Sequence, residues 1–103
     1  MRIVDPRSFT GETAWQALDI ANMDGVTVRL HWTDQPYRWH VNDGQEVFVV
    51  LAGTVQMHHR SGETESVRRM GPGDICHCAV GDEHRAVPEG PAHILVIERE
   101  GSV

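Results

Sequence analysis

The chain has 103 residues, 40% of them apolar and 23% charged, with a formal net charge of −6. That describes one ordinary globular domain, long enough for a single modest core and too apolar for disorder. All nine basic residues are Arg, and the densest pair is Arg68-Arg69, too sparse a set to track phosphates; no apolar run approaches the about 18 residues that span a bilayer, so neither nucleic acid nor membrane is expected as a partner.

Taken from the start, Met1 to Pro6 lacks the charged-then-apolar pattern of an export signal, and the expectation is a cytoplasmic protein. A first strand is predicted over 15–20, although 11–18 also accommodates a turn or two of helix. Met23-Asp24-Gly25 then marks a turn into a strand over 26–32. Residues 1–32 carry more apolar side chains (Trp15, Leu18, Ile20, Val28, Leu30) than one small barrel obviously uses. A homodimer packed through this region is therefore expected.

Next come an arm ending at His40, the Asn42-Asp43-Gly44 turn and a strongly apolar strand over 46–51. Further strands are predicted over 54–59, 66–70, 75–79, 85–87 and 92–98. Between them stand Ala52-Gly53, Ser61-Gly62, Gly71-Pro72-Gly73, Gly81-Asp82 and Pro88-Glu89-Gly90-Pro91. Eight short strands at this spacing give one all-β domain over 1–103, a jelly roll or closed sandwich. On the strand 75–79, Cys76 and Cys78 share a face but stand too far apart for a relaxed disulfide. They read as reduced thiols, as in the cytosol, pointing inward with His77 outward.

Seven histidines in so short a chain invite a search for metal ligands. His31, His58, His59 and His93 sit in apolar or alternating runs and read as structural or solvent-facing. His40, Glu46 and His84 each lie at a strand end beside a tight turn. A carboxylate heading an apolar strand needs a partner, because a buried unpaired charge is costly. If the Asn42-Asp43-Gly44 turn closes a hairpin, Glu46 folds beside His40, with Asn42 on the same face as His40. Phe48 and Val50 share the parity of Glu46 and should line the interior, with Met57. Tyr37 and Trp39 either wall the mouth or pack in the core. Glu98 reads as a solvated or dimer-edge charge, and Arg85 as a structural salt-bridge partner.

The segment 37–53 resembles the first cupin motif, with His40, Asn42, Glu46 and Gly53 on H-x-(H)-x3-E-x6-G; Asn42 replaces the second His and the opening Gly is absent. The segment 71–86 is similar to the second motif, ending Gly81-x2-His84, with Ala79 where Pro is usual. The resemblance covers roughly 39–86. It implies a double-stranded β-helix holding a divalent metal ion near one mouth through His40, Glu46 and His84, with Asn42, Tyr37 and Phe48 around the ion and its ligand. Two imidazoles and one carboxylate form a facial set suited to Fe(II), and Mn, Ni or Zn are also admissible. The implied function is a metal-dependent enzyme on a small oxygen-donor organic molecule, of dioxygenase, decarboxylase or isomerase type. The alternatives are a non-catalytic metal- or ligand-binding or sensor module, and a metal-free structural dimer.

Overall fold

A computed structural model describes residues 1–102. After a single 3-10 turn, Pro6–Ser8, the described chain runs through β1 (Gln16–Met23), β2 (Val26–Thr33), β3 (His40–Val41), β4 (Glu46–Ala52), β5 (Val55–Ser61), β6 (Thr64–Met70), β7 (Ile75–Cys78), β8 (Glu83–Pro88) and β9 (Ala92–Arg99). These form two antiparallel sheets, one of order β1-β2-β9-β4-β7 and one of order β3-β8-β5-β6. The jelly-roll expectation is met. Two sheets face each other and each strand sends alternate side chains between them.

That alternation is plain in the three strands that build the core. In β4, Glu46, Phe48 and Val50 are buried; in β5, Val55 and Met57; in β9, Ala92, Ile94 and Val96. With Met70 and Ala86 the apolar members form one continuous cluster. Each large side chain fully withdrawn from water contributes about 1.5–3 kcal/mol, before the entropy of ordering it is set against that. Outward-facing neighbours such as Gln56 and His58 remain partly exposed, which keeps the register from slipping by one residue.

The turns follow from their sequences. Met23 pairs with Val26 across a two-residue loop, and Asp24 and Gly25 both adopt positive φ (54° and 87°). That is the type I′ geometry whose twist suits a hairpin and which Asp-Gly favours. At the β4–β5 turn, Gly53 has φ 81°, and a Cβ there would stand 2.5 Å from the Pro91 carbonyl oxygen. Only glycine fits this close approach of two turns.

Two expectations are corrected. Residues 40 and 46 do not face each other across a hairpin. His40 pairs with His84 in the four-stranded sheet, whereas Glu46 pairs with Cys78 and Glu98 in the other. The arm before the turn finds its hydrogen bonds elsewhere: Asn42 N–H donates to Asp82 O at 2.9 Å, and Gly81 N–H donates to Asn42 O at 2.8 Å. The polar loop 43–45 thus crosses from one sheet to the other. Trp15, expected to open a strand, lies before β1 with φ 62°, a left-handed conformation unusual for so large a residue.

Candidate metal centre

His40 comes from the two-residue β3, His84 from the second position of β8, and Glu46 from the first position of β4. The two sheets therefore supply two imidazoles from one side and one carboxylate from the other. One ligand atom of each lies within 4.8 Å of those of the other two. The His40 and His84 rings are 4.3 Å apart at their centroids, and His84 Nε2 is 3.5 Å from Glu46 Oε1.

The surroundings set the protonation of these groups. His84 and Glu46 are only 3% and 7% exposed. Burial, then the nearby His40, pushes the His84 imidazole down to about 4, so it is neutral and keeps a lone pair at neutral pH. Burial also raises the Glu46 carboxyl, against the pull of hydrogen bonds from Glu98 and Cys78. His40 Nδ1 is 3.1 Å from the Arg38 carbonyl oxygen, a contact that fixes the ring and leaves Nε2 for a ligand.

A cation fits this donor set. Glu46 Oε1 is buried and has no hydrogen-bond partner, which is costly for a carboxylate oxygen. An ion between the three residues would provide that partner and offset the desolvation of the acid.

The other residues expected here divide. Asn42, 2% exposed, places Oδ1 against His84 Nε2 and donates from Nδ2 to the Gly44 carbonyl at 3.3 Å. Its oxygen stands beside the same nitrogen that faces Glu46, so Asn42 is placed among the candidate donors. Tyr37 and Phe48 line a cavity of about 160 Å³ that also contains all three candidate ligands. Tyr37 meets His40 edge-on at 5.2 Å and Trp15 at 5.1 Å, so an aromatic wall runs to the site. Trp39 takes no part. Residues 36–39 are not in a strand, and its ring turns to Arg60, 3.7 Å away, and to His58. Arg85, expected in a salt bridge, instead stands 5.6 Å from the Trp39 ring, and no ion pair is recorded for it among the described residues.

Glu98 is the main correction. It is not a solvated rim charge but lines the cavity directly across the ladder from Glu46. Burial first, then the charge of Glu46 and a hydrogen bond to it, push its carboxyl up to about 7. Strand parity carried the signal: Ala92, Ile94 and Val96 point inward on β9, and Glu98 continues that row. Trp15, Arg29 and His31 also line the cavity without having been assigned to it. Cys78 is buried, Cys76 is half-buried against the core, and His77 faces outward to bond Gln45 at 2.8 Å, the orientation expected. The two thiols share a hydrogen bond at 3.7 Å, which lowers Cys76 to about 7 and raises Cys78.

The family model described as "Cupin domain" matches residues 22–98. A cupin-2 domain containing protein from Shewanella frigidimarina has a similar structure, with a TM-score of 0.77 at 25% identity over 91% of this chain and 87% of that one. A cupin superfamily protein from Desulfitobacterium hafniense gives 0.75 at 17% identity over 95% and 90%. Hydroquinone 1,2-dioxygenase PnpCD, in complex with Cd2+ and 4-hydroxybenzonitrile, gives 0.73 at 16% identity over 87% and 67%. No curated protein matches the chain.

Proposed function

The chain belongs to the cupin domain family, and from that premise we propose that it is a metal-dependent enzyme acting on a small organic substrate with oxygen donors, with oxygenation the reaction the site suits best. The observation that carries this reading is the convergence of His40, Glu46 and His84 on one point inside a cavity. Two imidazoles and a carboxylate on one side of an ion suit non-haem Fe(II), with Mn, Ni and Zn as other admissible occupants. Bound there, the divalent ion supplies Lewis acidity and open coordination positions.

The chain's own residues would do the rest. His40, Glu46 and His84 hold the ion, with the Asn42 amide oxygen beside His84 Nε2 as a weaker neutral donor. Trp15, Tyr37 and Phe48 present aromatic surface that excludes water and accepts a flat substrate beside the ion. Glu98, its carboxyl pushed up to about 7, exists in both protonated and ionised forms at neutral pH and can deliver a proton to substrate oxygen or take one back. The cavity, about 160 Å³, is close to the roughly 150 Å³ that admits benzene, so one six-membered ring sets the size of what fits. The hydroquinone dioxygenase supports this reading at the level of fold, and its named substrate class is a natural first panel.

A second reading, a metal- or ligand-binding module without turnover, draws on Asn42, which brings a carboxamide where a third imidazole would strengthen the site. The two are separated by loading the protein with Fe(II) and following oxygen consumption with hydroquinones, catechols and β-diketones. Oxygen uptake that disappears in Glu46→Gln supports the enzyme. Bound iron with no uptake leaves the module. Failure to retain Fe(II), Mn(II), Ni(II) or Zn(II) after reconstitution defeats both.

A further inference from the structure

The cysteines of β7 do not face the cavity described above. They open on a second one, about 690 Å³, between the free edges of the two sheets, lined by His59, Cys76, His77, Cys78, Asp82 and His84 among others. Cys76 Sγ and Cys78 Sγ are 3.7 Å apart. Two sulfurs on one tetrahedral ion, each at about 2.3 Å, stand about 3.8 Å from each other. The pair is thus already at the spacing of a metal chelate.

The competing fate of two neighbouring thiols is a disulfide, and the strand opposes it. Same-face neighbours on a strand are about 6.6 Å apart at Cα with parallel Cβ bonds, whereas a relaxed disulfide brings Cβ atoms to about 3.8 Å. Closing the bond would pucker β7, which is held in register with β4 through Glu46–Cys78 and Phe48–Cys76. Chelation asks for no such movement.

We propose that Cys76 and Cys78 form a second cation site, adjacent to the His40–Glu46–His84 centre but built on a different donor pair, and selective for a thiophilic ion of the Zn2+ and Cd2+ class. Any proton still on a thiol leaves to solvent as its sulfur binds, so at most two protons leave per ion. Among the described residues no further His, Cys, Asp or Glu donor joins both sulfurs in a cluster of 4.8 Å. The remaining positions therefore open to the cavity and take water or a small ligand. Oxygen and nitrogen donors surround one ion and sulfur the other, so the two sites favour different metals although Glu46 and Cys78 face each other across one ladder.

The test is a Cd2+ titration of the metal-free, fully reduced protein, read by thiolate-to-cadmium absorption in the ultraviolet. That signal reports sulfur only and is silent for the other centre. The absorption should grow to one ion per chain in the wild type and equally in His40→Ala. It should weaken by at least about tenfold in apparent affinity in Cys76→Ser and in Cys78→Ala, the latter verified as folded by circular dichroism. Proton release should accompany it. No thiolate absorption, absorption unchanged in Cys76→Ser, or absorption lost in His40→Ala would each overturn the proposal.

Discussion

The three candidate ligands differ in what holds them. His84 lies nearly sealed on β8, touching Asn42, His40 and Glu46 at once. His84→Ala should therefore abolish Fe(II) retention after desalting. His58→Ala should leave it intact, because His58 turns to the far side of its sheet against Trp39 at 6.3 Å. Metal content by elemental analysis checks both. Glu98 gives a pH-dependent expectation. Its folded carboxyl titrates at about 7, above the ordinary Glu value, so the neutral form is favoured on folding. Stability from this source is complete below the ordinary value and is lost as pH rises through about 7. In metal-free protein, Glu98→Gln should melt above the wild type at about pH 8 and coincide with it near pH 4. Melting curves across that range decide it. The sequence exposed His40, Glu46 and His84 because an acid and two imidazoles beside turns are conspicuous. Glu98 was hidden only because a charge at a strand end is usually solvated, although the row Ala92, Ile94, Val96 pointed it inward.

At the level of elements, strands that form apolar runs between turn signals were legible, and those too short for a run were not. Residues 46–51 and 92–98 are such runs and became β4 and β9 with ends moved by one residue. The two-residue β3 has no period to detect, so nothing in the sequence showed that it pairs with β8. The reading of 40 and 46 as hairpin neighbours brought the right residues together by the wrong route. A hydrophobic pattern says which face is inward but not which sheet a strand joins. The β4–β5 turn offers a test of close backbone approach. Gly53→Ala places a methyl against the Pro91 carbonyl at a φ that L-residues resist, and should cost about 1–3 kcal/mol in urea unfolding with an unchanged slope.

For the molecule as a whole, an ion that binds only the folded chain adds its binding energy to stability. At a hundredfold excess over the dissociation constant this is about 2.7 kcal/mol, or on the order of 10 °C in Tm for a domain of this size. Thermal shift with Fe(II), Mn(II), Ni(II) and Zn(II) should show such a rise in the wild type and none from this site in Glu46→Gln. Where the rise falls has a further meaning. His40 and His84 hang from one sheet and Glu46 from the other, and no backbone ladder joins the two sheets. An ion at that point is a clasp across a seam otherwise closed by side chains and the crossing loop 43–45. Chelation should unfasten the mouth while the middle of the sandwich stays shut: amides of residues 39–42 should exchange faster with chelator than with metal, and those of Val50 and Ile94 at the same rate in both. Metal starvation would then register first as a slackened entrance, before any loss of the fold itself.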